Sequence, residues 1–197
     1  MKMNKLAKII MVLMAALMIF AVSCDTEEDV VLDGLADTPE EAMLGFIEAF
    51  KMCDSQNLPV YSIERDLVEG LVDTIPEDED YRRMLRAQFA AFSYEMSDPV
   101  IDGDIATATL TITTWSIKAA AHEYITRVQA QYNGVQPKGE EYVKLWESIY
   151  ADGQIDTVTA TDEVKFEKVD GAWKVIVDID FSRLISGGDE NTTTDEE

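Results

Sequence analysis

Residues 9–22 form an unbroken run of fourteen apolar side chains, with Lys2, Lys5 and Lys8 before it and Ser23-Cys24 directly behind it. That segment decides which part of the chain has to fold. A helix needs about 20 apolar residues to cross a hydrocarbon core of roughly 30 Å, so this run is short for a comfortable membrane span. A basic start, a brief apolar middle and a small residue at the end are the three parts of an export signal. Residues 1–23 are therefore expected to be removed, and the folded body to lie after them, outside the cytoplasm.

The tetrapeptide Ala21-Val22-Ser23-Cys24 resembles the lipobox of bacterial lipoproteins, although Ala21 stands where that box usually has Leu. The resemblance implies cleavage between Ser23 and Cys24, with the Cys24 thiol carrying a diacylglycerol. Such a product sits at the extracytoplasmic face of a membrane, held by its acyl chains. An ordinary signal peptide cut nearby is the alternative, and it would not require a cysteine at that junction.

Removing residues 1–23 takes away three lysines and no acids, leaving 13 bases against 39 acids, a net of −26. Such a surface disfavours nucleic acid, whose binding rests on phosphate neutralisation by Lys and Arg. Anionic headgroups would repel it too, so covalent acyl chains must supply the attachment. With Cys24 acylated, Cys53 has no partner and no disulfide is expected. Cys53 falls on the apolar face of a predicted helix, where a thiol behaves as a small hydrophobe. No histidine or basic residue is expected beside it to activate it.

Residues 24–37 read as an acidic tether, residues 38–185 as one α+β domain and residues 186–197 as an acidic tail without structure. Thr38-Pro39-Glu40-Glu41 signals a helix start, with a Thr cap, Pro at the first helical position and a capping-box Glu. Met43, Phe46, Ile47, Phe50 and Cys53 then share one stripe. Val60, Ile63, Leu67, Leu71 and Ile75 predict a second helix, and a third begins near Asp78 with Tyr81, Leu85, Gln88, Phe89 and Phe92 on one stripe. The period then changes to two, in Tyr94-Glu95-Met96 and across residues 105–115, with a turn at Asp102-Gly103. Helical periodicity returns at Ile117, stops at Asn133-Gly134 and resumes at Tyr142. A final β-hairpin turns at Asp170-Gly171, where Trp173, Val175, Val177, Ile179 and Phe181 alternate without error. The expected architecture is a curved four-stranded antiparallel sheet of two β-hairpins, packed on N-terminal helices, with a helical hairpin inserted between the strand pairs.

Two stretches, TPEEAMLGFIEAFKMCD at residues 38–54 and VKFEKVDGAWKVIVD at residues 164–178, resemble the opening helix and closing hairpin of small bacterial lipoproteins with a nuclear-transport-factor-2-like fold. The resemblance implies a cone-shaped sheet around helices, often with a pocket at its wide end. Some relatives are isomerases or dehydratases and many are binding or scaffold domains, so the fold leaves the activity open.

Catalytic chemistry has few candidates. His122 is the only histidine and projects onto the flank of its helix, which excludes a multi-histidine metal site. Phosphate loops, nucleophile elbows and calcium loops are absent from the sequence, so neither a metal nor another cofactor is expected. Registering the last hairpin on its turn puts Asp162 across from Ile179, on the face that also carries Val164, Phe166, Val175 and Val177. A carboxylate there must lie at an edge, be paired, or occupy a cavity. In a cavity it would be walled by Tyr94, Trp115, Tyr124 and Trp146. The expected function is a lipid-anchored, non-enzymatic binding or interaction module for a small apolar ligand or an envelope protein. An isomerase or hydrolase using Asp162 as general base is the alternative.

Overall fold

Thr38 opens the first helix, α1 (Pro39–Lys51), in the way its sequence signals. The Thr38 hydroxyl accepts from the Glu41 amide at 3.2 Å, while the Glu41 carboxylate accepts from the Asp37 amide at 2.8 Å. The first bond satisfies a donor that the first helical turn leaves open, and the second ties the residue before the cap to that turn. The chain is described as a computed structural model over residues 35–65, 75–152 and 154–187. The signal segment, Cys24, most of the tether and the end of the tail lie outside those residues, as do Leu67 and Leu71.

Met43, Phe46, Ile47, Phe50 and Cys53 are all buried, as their spacing requires. After α1 come α2 (Leu58–Tyr61), β1 (Ser62–Glu64), α3 (Glu79–Phe89), β2 (Ser93–Met96), β3 (Val100–Asp102) and β4 (Ile105–Trp115). Then follow α4 (Ile117–Tyr132), α5 (Glu140–Ala151), β5 (Thr157–Val169), β6 (Ala172–Val177) and α6 (Ile179–Ile185). The class is α+β, and α4–α5 is the helical hairpin expected between the strand pairs. Ala36 already belongs to the folded body: it is buried, and its carbonyl accepts from the Trp173 amide at 2.9 Å.

The sheet is larger than expected and mixed. Among the described residues its order is β1-β6-β5-β4-β2, with β3 also on β4, giving six strands instead of four. β4 and β5 form the long antiparallel centre, from Ile105↔Glu167 to Trp115↔Thr157. On β4, Ala106, Ala108, Leu110 and Ile112 are buried, whereas the intervening threonines are not. That alternation is what one packed and one wetter face require. Asp170 and Gly171, both at positive φ, join β5 to β6 in a two-residue turn, a conformation that glycine adopts without a Cβ penalty.

Two expectations are corrected at the ends of these strands. Ile63 was expected in a second helix, but β1 pairs it in parallel with Ile176 of β6. A three-residue strand held by a partner more than a hundred residues away leaves no local period to read. β6 stops at Val177, because the Asp178 carboxylate accepts from the Phe181 amide at 2.9 Å and caps α6. Phe181, Leu184 and Ile185 are buried from that helix. The run 173–181 satisfies period two, yet Phe181, Leu184 and Ile185 also satisfy the helical spacing, and the cap decides between them.

Candidate functional site

Ser116 ends β4 and starts α4, its hydroxyl accepting from the Ala119 amide at 3.1 Å. From there α4 runs alongside α5, and the hairpin fills its contact with aromatic rings. Tyr124 of α4 stacks on Trp146 of α5 at 4.7 Å and 7°. Trp146 stacks in turn on Tyr150 at 5.8 Å, and Tyr150 lies 6.4 Å from Trp115. Tyr142 meets Tyr124 and Trp146 edge-on, at 5.9 and 6.4 Å, and reaches Tyr81 of α3 at 6.2 Å. Offset and edge-on ring pairs of this kind add about 0.5–1.5 kcal/mol each beyond their buried area.

Ion pairs brace the array at its rim. Arg127 of α4 reaches Glu123 at 2.7 Å, Asp152 at 2.6 Å and the Ser148 hydroxyl at 3.0 Å, while Arg83 of α3 reaches Glu147 of α5 at 2.5 Å. Their carboxylates are a third to a half exposed, so solvent screens these pairs and they fix geometry more than they stabilise. Inside the array, Trp115 Nε1 and Trp146 Nε1 are buried without a hydrogen-bond partner among the described residues, and the Tyr124 hydroxyl has the Gln136 side chain beside it. An unsatisfied buried donor costs about 1–3 kcal/mol. Burial and the neighbouring Tyr142 push the Tyr124 pKa up, against a weaker opposite effect of the Gln136 side chain.

The structure thus brings together three of the five side chains expected around a pocket: Trp115, Tyr124 and Trp146. Tyr142 and Tyr150, which were not expected there, complete the row; their i, i+4, i+8 spacing with Trp146 on α5 is the signal that could have found them. Tyr94 is elsewhere. It pairs with Ile112 near α1, where burial first and the Glu48 carboxylate second push its pKa up.

Asp162 is also elsewhere, and its expected position opposite Ile179 does not form. With β6 ended at Val177, Ile179 is 60% exposed on α6, and Asp162 pairs only with Leu110 on β4. Asp162 is exposed and accepts from the Glu163 amide at 2.7 Å. Five register positions, roughly 17 Å along the sheet, separate it from Trp115. It opens on a polar cleft of about 120 Å³ shared with Lys165, Asp178 and Asp180, and the expected aromatic walls are absent from its lining. No group of three or more potential metal ligands occurs among the described residues.

Cys53 differs from expectation in its surroundings, because Arg82 and Arg86 of α3 both act on it. Burial still outweighs the two arginines, the thiol pKa is pushed up, and the sulfur sits 4.0 Å from the Arg82 carbonyl. The result is an inert small hydrophobe, as expected, for a different reason. His122 is exposed on the flank of α4.

Tyr150 offers a titration that reads the integrity of the array. It is 8% exposed, and burial, with a smaller effect of Tyr142, pushes its pKa up to about 12. In the unfolded chain a tyrosine loses its proton near pH 10. Between these values the unfolded form holds fewer protons, so stability that is fully present below pH 10 declines as pH rises towards 12, by about 2–3 kcal/mol. Denaturant midpoints across that window should fall accordingly. Tyr150→Phe should flatten the dependence, and an unchanged slope in that variant would contradict the assignment.

No protein-family model matches the chain, and no curated protein matches it. Among solved structures, the chain is similar to the crystal structure of the candidate lipoprotein ycdA from Bacillus subtilis, with a TM-score of 0.48, 13% identity and 83% of this chain covered. The chain spans 59% of the length of that protein.

Proposed function

We propose that the chain is a membrane-anchored lipoprotein of the extracytoplasmic face, attached through a diacylglycerol on Cys24. Its folded part, of the nuclear-transport-factor-2-like kind, is a binding module and not an enzyme. Support for the anchor comes from the apolar run ending at Ser23-Cys24. It agrees with the finding that no helix among the described residues is long and apolar enough to cross a membrane.

One observation carries the binding role: two indole donors, Trp115 Nε1 and Trp146 Nε1, find no partner among the described residues and lie inside a row of stacked aromatic rings. Unmet donors among apolar walls suit an uncharged ligand that is mostly apolar and carries an acceptor oxygen. An anionic ligand would meet the repulsion of a −26 body. Such a ligand enters by parting Tyr124 from Trp146, at the seam between α4 and α5.

The test has two readouts. Mass spectrometry of the native N-terminus should show acylated Cys24, and Cys24→Ser should move the protein from the membrane fraction to the soluble one. An unmodified N-terminus, or a processed Cys24→Ser product that still sediments with membranes, would refute the anchor. The released Cys24→Ser protein can then be titrated with monoolein, a neutral acyl ester. Emission from Trp115 and Trp146 should shift on binding, and Trp146→Phe should lose most of that response; a response carried by Trp173 alone would refute the site.

A further inference from the structure

Ala36 marks the end of the sheet that lies nearest the proposed anchor. Its carbonyl accepts from the Trp173 amide at 2.9 Å, beside the Asp170-Gly171 turn of β5 and β6. Strand register carries that end across the sheet. Val169 pairs with Ala172, Ile105 with Glu167 and Val100 with Thr107, and the Lys168 amide donates to the Asp104 carbonyl at 2.7 Å. Residues directly across a ladder, and those two apart on a strand, share a face. Val100, Ile105, Val169 and Ala172 therefore line up on the wetter face, away from the buried Ala106, Phe166 and Val175.

Val100 is 70% exposed and Ile105 44%, and Leu35, next to Ala36, is 73% exposed. Leu35, Pro59 and Val60 extend the band, forming a groove of about 380 Å³ with Val169, Asp170, Ala172 and Lys174. The Lys174 ammonium reaches the Pro59 carbonyl at 2.8 Å, so its apolar stem lies along the groove. A continuous exposed apolar band of this kind marks a contact surface.

We infer that this end of the sheet is a membrane-contact surface, on which the band from Val100 to Leu35 settles into the headgroup layer of the bilayer that carries the lipid anchor. The inference rests on the proposed anchor at Cys24. Lipid is selected as the occupant by where the chain leaves the body: ten residues, 25–34, join Cys24 to Leu35, and eleven such steps reach at most about 40 Å. Charge agrees. Residues 100–107 and 165–174 together with Arg65 carry four bases and four acids, a balance of zero in a mature chain of net −26, and Arg65 pairs with Glu167 among them. A locally neutral apolar band suits a zwitterionic lipid layer, whereas the rest of the body is repelled by anionic lipid. The contact is weak alone and gains from the tether, which keeps the effective concentration of lipid high. Cys24→Ser is accordingly still expected in the soluble fraction.

Ile105→Cys and Thr157→Cys sit on one face at opposite ends of the β4–β5 ladder, ten register positions or roughly 33 Å apart. Each takes one nitrobenzoxadiazole label in the full lipoprotein, with Cys53 buried and Cys24 engaged by its acyl chains. In vesicles of phosphatidylcholine and phosphatidylethanolamine carrying headgroup nitroxide, the label at 105 should be quenched at least about fivefold more than that at 157. Adding Leu35→Glu and Val100→Glu, both at exposed positions outside the core, should bring the two labels within about twofold by placing charges in the contact. Equal quenching, stronger quenching at 157, or indifference to the two glutamates would overturn the inference. A hexahistidine-tagged chain beginning at Asp25, held on nickel-chelating lipid in the same vesicles, supplies the tether without Cys24. If the native protein fails to float with vesicles while the tagged chain shows the contrast, the anchor fails and the surface stands. Flotation without the contrast means that the surface fails and the anchor stands. Shielding of the 105 label from iodide in the tagged chain before vesicles are added would give the band to a second copy or to the chain's own tether, and would also overturn the inference.

Discussion

Phe46→Ala is expected to destabilise the domain by about 3–5 kcal/mol, the range for removing a fully buried aromatic ring. Phe46 has no exposed surface. Its ring stacks 6.0 Å from Phe50 of its own helix and meets Phe181 of α6 edge-on at 5.3 Å. It therefore joins the first helix of the domain to the last, and no side chain on either can shift to fill the space without leaving its own contacts. Domain stabilities are about 5–15 kcal/mol, so the loss removes a large share of the total. Leu44, two residues away on the solvent side of α1, is 42% exposed, and Leu44→Ala should change stability by less than about 1 kcal/mol. Urea denaturation midpoints of the two variants decide the matter. Similar losses in both would mean that the burial assigned to this stripe is wrong.

The second large effect has an unusual sign. Glycine in a helix interior is ordinarily improved by alanine, by about 1 kcal/mol. Gly45 lies inside α1, but a Cβ there would fall 2.5 Å from Cδ1 and Cε1 of Tyr61 and 2.7 Å from its Cζ. Tyr61 is 4% exposed, so its ring can move away from Gly45 only by displacing other core side chains. Overpacking of this kind costs about 1–3 kcal/mol or more, which exceeds the propensity gain. Gly45→Ala should therefore lower the denaturation midpoint. In a Tyr61→Ala background the same change should become neutral or stabilising, with a coupling of about 1–3 kcal/mol between the two positions. Additive losses would show that the helix does not approach the ring this closely.

Gly45 also shows where sequence reading stops. Its position inside a predicted helix was plain, but the need for a missing side chain comes from a ring sixteen residues on that a short helix, α2, brings back against it. Asp162 teaches the same lesson at the site. Its register on the Asp170-Gly171 turn was sound, but the partner strand was assumed to continue past Val177, and one capping bond from Asp178 ended it. Trp115, Tyr124 and Trp146 were expected as walls of a pocket around that carboxylate. They do converge, but on Tyr142 and Tyr150 across the helical hairpin, since the side chains of α4 and α5 face each other and not the far end of β5.

What the sequence by itself determined were the features whose causes lie within a few residues. These are the caps of α1 and α3, the alternation of β4, the break of the helical hairpin at Asn133 and the two-residue turn between β5 and β6. Each rests on local dihedral preference, side-chain-to-backbone bonding or hydrophobic period, all properties of a short window of chain. Only the tertiary structure decided that β1 joins the sheet in parallel, that β6 yields to α6, and that the aromatic row and Asp162 lie apart. Those outcomes depend on which distant groups meet in the core, and burial energy, which is non-directional, acts on the whole chain at once.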